Sequence, residues 1–250
     1  MDFRLSSLLI IGLVTIVPKL NGQIEIGGEE AVEPVEEQKE LLIVEKKEDA
    51  TEIYLVSNWS RTSSLLTESE ELSAEPLGDR EFESFLNTWS FGLGYRTRVN
   101  KYLSIQGGIS YLRNGESFKY ETPDSLFTYN TTYSYIAMPV KALFTYGNEI
   151  KVFAGGGLTP QLFSDYRQDL EWETEKNATG SETIKRKNGY SSFVLSASVN
   201  IGVQLKFSKR WAFLFMPEYR IQLTDSYEQL DAYDHFGRAL GFDLGLTMYL

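Results

Sequence analysis

From about residue 51 onward, hydrophobic residues recur at every second position, which is the spacing of side chains on one face of a β-strand. The clearest segment covers residues 193–207, where apolar residues alternate with mostly small or polar ones. Segments 211–223 and 240–250 repeat the alternation. Earlier segments of the same kind lie at 89–99, 103–111, 136–144 and 150–158. The pattern therefore predicts seven strands.

The connections between these strands alternate in length. Short links at 99–101, 146–149 and 207–210 contain Asn, Gly or Ser-Lys, which are typical of hairpin turns. Long polar links lie at about 61–86, 114–131, 164–190 and 225–238. This alternation predicts an up-and-down meander with both termini at the short-turn end, which requires an even number of strands. We therefore predict an eighth strand over about 51–60, through Ile53, Leu55 and Trp59.

Alternation alone fits two kinds of barrel, which differ in the face that meets the surroundings. A soluble lipocalin-like barrel turns its apolar face inward, whereas a transmembrane barrel turns it towards lipid. Here the polar face is rich in glycine and has isolated charges in mid-strand, and the strands exceed the 9–11 residues or so that a bilayer requires. Inside a membrane every backbone polar group must pair, so the sheet has to close. We predict an all-β, eight-stranded antiparallel up-and-down transmembrane β-barrel over residues 51–250, with a secreted soluble barrel for a small apolar ligand as the alternative.

The first fifty residues differ in composition from the rest. Arg4 precedes an apolar run at 8–17 and then Asn21-Gly22, an order that predicts a signal peptide over residues 1–22. Residues 23–50 contain ten acidic residues and three lysines, and we predict that they form an acidic linker in the periplasm. The net charge of −11 argues against nucleic-acid binding, and the absence of cysteine together with the single His235 argues against common metal sites.

Three features carry a resemblance to a known family: the signal peptide ending before Gln23, the segment Tyr135–Val140, and the run Gly155–Gly157. With these the chain resembles the PorT-like outer-membrane β-barrels, and its general plan is similar to the small OmpA-type barrels. The resemblance implies a bacterial outer-membrane location, with the linker and the C-terminus in the periplasm. It also implies contact with outer-membrane lipid and lipopolysaccharide, recognition by the barrel-assembly machinery, and a protein partner in the envelope. The chain ends in Leu250 after Tyr249, where such barrels more often end in an aromatic residue.

The inward face of the predicted barrel contains charged residues that need partners, because an isolated buried charge is costly. Glu218, Arg220 and Asp243 stand on the neighbouring final strands. We predict that they pair inside the barrel with one or more of Arg96, Arg98, Lys141, Lys151 and Lys206. Such a network either seals the lumen or lines a gated pathway or a small-ligand site.

Two other groups of residues suggest further chemistry. Ser226, Asp231, Asp234 and His235 share one link, so an outer-membrane lipid-modifying enzyme is a further alternative. The link 164–190 mixes acidic residues with Lys185-Arg186-Lys187, which suits a contact surface for a partner or for lipopolysaccharide, or a solvated loop. We predict a non-enzymatic protein without catalytic, cofactor or metal sites, with a structural, adhesive or secretion-associated role through its loops or its linker.

Overall fold

The computed structural model describes residues 51–68, 83–122, 125–174, 179–227 and 233–250. The signal peptide and linker predicted over residues 1–50 lie outside the described residues. Within the described ranges, no helix is long and apolar enough to cross a membrane. The same ranges form antiparallel strands: β1 Thr51–Glu68, β2 Glu83–Arg98, β3 Leu103–Thr122, β4 Ser125–Ala137, β5 Val140–Tyr146, β6 Ile150–Thr174, β7 Thr179–Arg186, β8 Phe193–Lys206, β9 Trp211–Gln222 and β10 Tyr233–Tyr249.

The strands close into a ring. β1 pairs with β2 on one side and with β10 on the other, and the remaining neighbours follow in chain order. β4 and β5 share one position in the ring, because both pair with β3 and with β6. The break between them falls at Pro139, which has no amide proton for the ladder. β7 pairs only with β6, so the barrel itself has eight strand positions, as predicted.

The direction of the side chains confirms the predicted outward apolar face. Along β9 the residues alternate between exposed and buried, with Phe213 and Phe215 outside and Glu218 inside. On β10, Leu244 is 48% exposed while its neighbour Asp243 is 6% exposed. We call the outward-facing apolar residues the apolar belt, whose members include Leu55, Trp89, Leu93, Ile105, Ile136, Val152, Leu162, Ile201, Phe213 and Leu244. This arrangement is the reverse of a soluble lipocalin-like barrel, in which such residues fill the interior.

The short turns lie where the sequence predicts them, and each has a local cause. Asn100 Oδ1 accepts hydrogen bonds from the amides of Tyr102 and Leu103. Gly147 adopts a φ of 100°, a conformation that disfavours other residues. Ser208 Oγ accepts from the amide of Trp211 at 3.0 Å. These turns join the strands at one end of the barrel, which we call the short-turn end.

The long links differ from the prediction, because much of each is strand rather than loop. β1 and β10 remain paired as far as Glu68 and Tyr233, and β3 and β4 remain paired as far as Thr122 and Ser125. β6 continues to Thr174 and turns back as β7. These segments contain many Thr and Tyr residues, which favour strands without forming a continuous apolar face. We call the three extensions ribbons, and the end of the barrel that bears them the ribbon end.

Candidate functional site in the barrel interior

One layer of inward side chains lies near the short-turn end and is centred on Glu52 of β1. Its carboxylate accepts hydrogen bonds from Lys151 Nζ at 2.6 Å and from Arg96 Nη1 at 3.2 Å. Arg96 also donates to Gln204 Oε1 at 2.7 Å, and Gln204 Nε2 donates to Tyr249 Oη at 2.8 Å. The three charged side chains are at most 5% exposed. Two cations thus share the Glu52 carboxylate.

A second layer, deeper in the barrel, is centred on Glu218 of β9. Lys141 Nζ lies 2.5 Å from Glu218 Oε2, and Arg220 Nη1 lies 3.0 Å from Glu218 Oε1. Asn200 Nδ2 donates to Glu218 Oε2 at 2.9 Å, and Arg220 Nη2 donates to Asn114 Oδ1 at 2.9 Å. Both oxygens of this carboxylate are therefore occupied by donors from three strand positions of the barrel.

Asp243 of β10 borders the second layer, but its carboxylate accepts a hydrogen bond from an amide instead of pairing with a described cation. Asn58 Nδ2 donates to Asp243 Oδ1 at 2.7 Å, and Ser60 Oγ in turn donates to Asn58 Oδ1. Asp243 makes no salt bridge with any cation in the described part of the chain. A cavity of about 50 Å³ borders Lys141, Glu218 and Asp243, which is room for a few water molecules.

Of the five cations predicted as partners for the acids of the final strands, Lys141 lies beside Glu218, and the other four lie elsewhere. Arg96 and Lys151 pair with Glu52 rather than with an acid of the final strands. Arg98 ends β2 half-buried and forms no salt bridge with a described acidic residue. Lys206 ends β8, and its Nζ lies 4.8 Å from the centroid of the Tyr249 ring. Lys206 therefore shares the Tyr249 ring with Lys151 of the first layer, whose Nζ lies 4.4 Å from the ring centroid, whereas Arg98 stands at the end of β2.

Sequence reasoning missed Glu52, although the signal for it was present. The predicted first strand depended on Ile53, Leu55 and Trp59, which share the outward face. With a period of two, residue 52 must then face the interior. Extending the alternation by one residue would have identified Glu52 as an interior acid.

At the ribbon end, beyond the apolar belt, an aromatic cluster fills the mouth of the barrel. Tyr133 lies at its centre, in ring contact with Tyr166, Tyr190 and Tyr227. The hydroxyl groups of Tyr133 and Tyr227 lie 2.7 Å apart, and a single β-bridge joins Tyr190 to Tyr227. Burial, together with the nearby negative charge of Glu116, raises the pKa of the Tyr133 phenol well above its ordinary value. The segments around residues 190 and 227 thus meet over the mouth of the lumen.

Among the described residues that suggested a lipid-modifying enzyme, the side chains of Ser226 and His235 contact other partners rather than each other. Ser226 Oγ accepts a hydrogen bond from Gln222 Nε2 at 2.7 Å, and His235 Nε2 lies 3.2 Å from Glu116 Oε2. The space bordered by Ser226 and His235 cannot accommodate a water molecule. Asp234 is the second residue of β10, and Asp231 lies outside the described residues. Within the described ranges, no group of three or more His, Cys, Asp or Glu residues could hold a metal ion.

Comparison with protein families agrees with this architecture. A family model for the outer membrane protein beta-barrel domain matches residues 49–246. A search of curated proteins finds no match. Among solved structures, the chain is similar to Ail, the attachment invasion locus protein of Yersinia pestis, in complex with the heparin analogue sucrose octasulfate. The two chains are 14% identical over 78% of this chain and 99% of that chain, with a TM-score of 0.32.

Two further solved structures are similar to the chain. Neisserial surface protein A is 12% identical over 79% of this chain and 97% of that chain, with a TM-score of 0.38. The outer membrane protein OprG of Pseudomonas aeruginosa is 8% identical over 81% of this chain and 97% of that chain, with a TM-score of 0.41.

Proposed function

Because the chain belongs to the outer membrane protein beta-barrel domain family, we propose that it is a non-enzymatic outer-membrane protein with a sealed lumen. It acts through its ribbons, in a structural, adhesive or secretion-associated role. The observation that carries the proposal is the filling of the interior. Glu52 and Glu218 each hold two cations in the lumen, and Tyr133 and its aromatic neighbours occupy the mouth.

A barrel of eight strand positions has an interior just wide enough for side chains. In this chain the inward positions hold long residues such as Arg96, Lys151 and Phe153, each less than 2% exposed. The cavity that borders Lys141 and Glu218 has a volume of only about 50 Å³. This supports a role as a membrane-embedded platform rather than as a porin.

The orientation of the barrel follows from its two unequal ends. In outer-membrane barrels the short turns face the periplasm and the longer connections face the outside. We therefore place the short-turn end, both ends of residues 51–250 and the predicted linker 23–50 in the periplasm. The ribbons then project from the cell surface, where they can meet another cell, a substratum or an envelope partner. The last strand, β10, would be read by the barrel-assembly machinery, and the PorT-like relationship belongs to this proposal as well.

The experiment compares two altered chains. In the first, residues 168–185 of the β6–β7 ribbon are replaced by Asn-Gly. In the second, which serves as the matched control, residues 23–50 are replaced by a neutral Gly-Ser linker of equal length. Both chains are expressed in the host and checked for outer-membrane sedimentation and for faster migration of the unboiled protein on a gel.

We expect loss of surface attachment or of protein secretion in the ribbon variant, and no single-channel conductance for the unaltered protein in planar bilayers. Steady conductance of the unaltered protein would contradict the sealed lumen. Normal attachment and secretion in both variants would contradict a role for the ribbons. A change in the lipid profile on substitution of His235 by Ala would contradict the non-enzymatic assignment.

A further inference from the structure

A concave surface lies on the outside of the barrel wall at the ribbon end. It is bordered by β3, β4, β6 and β7 and encloses about 700 Å³. We call it the basic groove, because five of its residues are cationic: Arg113, Arg167, Lys185, Arg186 and Lys187. Two carboxylates, Asp165 and Asp169, also border it. The count of five positive and two negative charges gives the groove +3, although the whole chain carries −11.

Strand alternation shows that the groove faces away from the lumen. Tyr133 and Tyr166 are buried in the aromatic cluster inside the mouth. Their neighbours Thr132, Ser134 and Arg167 therefore point outward, and these three border the groove. The pairing of β4 with β6 shifts register beside Ser134, so that one residue of β6 is left over. Such a bulge bends a strand, which accounts for a concave outer face at this point.

The groove begins where the apolar belt ends. On β4, the outward-facing Ile136 is 39% exposed, and Ser134, two residues nearer the ribbon end, borders the groove. On β6, Leu162 is 46% exposed and Asp165 borders the groove. Tyr111 marks the same boundary on β3. The basic groove therefore opens at the level where the apolar tails of the surrounding lipid give way to its polar headgroups.

Most of the positive charge in the groove is available to a ligand. Arg167 Nε lies 2.8 Å from Asp169 Oδ2, and Thr183 Oγ1 also donates to Asp169, so this cation is balanced. Lys185 and Lys187 form no salt bridge with an acidic residue of the described ranges. The Arg113 guanidinium lies 5.2 Å from the centroid of the Tyr111 ring, which positions it beside the lipid boundary.

We infer that the basic groove binds the phosphorylated headgroup of a lipid in the outer leaflet. Arg and Lys make their strongest hydrogen bonds to phosphoryl oxygens, and several such groups at one site favour a ligand with more than one phosphate. The position of the groove beside the apolar belt lets the lipid keep its tails in the membrane while its headgroup enters the groove. The inference rests on the orientation in the proposed function, which places the ribbon end in the outer leaflet.

The test uses the full chain in a zwitterionic detergent, with diphosphoryl lipid A, monophosphoryl lipid A and inorganic phosphate as probes. The groove variant is Lys185→Glu with Lys187→Glu. The matched control is Lys101→Glu with Lys209→Glu, which changes the same number of exposed lysines at the short-turn end. Binding is measured by native mass spectrometry at two salt concentrations, after an unboiled gel has shown that each variant forms a barrel.

We expect tighter binding of the diphosphoryl than of the monophosphoryl lipid, weaker binding at high salt, and a loss of about tenfold or more in the groove variant alone. Equal binding by the groove variant and the unaltered chain would overturn the inference, as would an equal loss in the control. Competition by millimolar inorganic phosphate would show a site for free phosphate and would overturn the lipid assignment. These results measure lipid binding, whereas the proposed function is tested by conductance and attachment. A failure of the inference can therefore be distinguished from a failure of the proposed function.

Discussion

Replacing Glu218 with Gln tests whether the second charged layer holds the barrel together. Arg220 contacts one oxygen of the Glu218 carboxylate, and Lys141 and Asn200 contact the other. Gln keeps the shape of the side chain but removes the negative charge, so two buried cations lose their counterion. Breaking a buried pair by removing one partner typically costs about 3–5 kcal/mol. We expect a loss of that size in the free energy of unfolding.

The measurement is urea unfolding of the barrel in lipid vesicles, followed by tryptophan fluorescence and by the mobility of the unboiled protein on a gel. Glu149→Gln is the matched control, because Glu149 is an exposed acid at the short-turn end. We expect it to change the free energy of unfolding by less than about 0.5 kcal/mol. Adding Lys141→Met to Glu218→Gln should recover part of the loss, because one of the uncompensated cations is then gone.

The result that refutes this reasoning is a Glu218→Gln barrel with an unaltered free energy of unfolding. If the same variant also conducted ions in a planar bilayer, the layer would be a gate in a pathway rather than a seal. A destabilised variant without conductance agrees with the seal.

Four further outcomes follow from the structure. Glu52→Gln should lower the free energy of unfolding by about 3 kcal/mol in the same urea assay, because two cations share that carboxylate. Gly94→Ala should cost about 1–3 kcal/mol, because its new Cβ would overlap both the Tyr54 ring and the backbone carbonyl oxygen of Gly107, and Tyr54→Ala should recover only part of the loss. Leu244→Arg should cost about 2–4 kcal/mol in vesicles, because it puts a charge against lipid. The raised pKa of Tyr133 means that the fold favours its neutral form, so its contribution to stability is complete below pH 10.0 and is lost as the pH rises further. Absorbance at 295 nm should show at least one tyrosine that ionises only when the protein unfolds in alkali. If all tyrosines of the folded protein ionised together at the ordinary tyrosine pKa, the prediction would be wrong.

Much of the barrel could be predicted from the residues alone. The alternation along 193–207 and 211–223 identifies the strands, because side chains of a strand alternate between two faces. The isolated charges and glycines on the polar face, together with the length of the strands, identify the apolar face as the one that meets lipid. The short turns at Asn100 and Gly147 were also readable, because turns of this kind depend on the local residue.

The long links were predicted less well, because their polar composition resembles that of loops. Segment 125–133 has no continuous apolar face, yet it pairs along its whole length with β3 and β6. Pairing at these positions depends on neighbouring strands that are distant in the sequence. A window of local residues does not contain that information.

The sequence by itself determined that apolar and polar residues alternate along this chain, that its strands cross a membrane and that its charged side chains face the interior. The period and the hydrophobicity of a strand are properties of that strand alone. Only the tertiary structure decided which charges meet. Glu52 reaches Arg96 and Lys151 from β1, and Arg113 joins Lys185 on one outer surface although 71 residues separate them. The closure and stagger of the strands set these neighbours, and both depend on every strand of the ring at once.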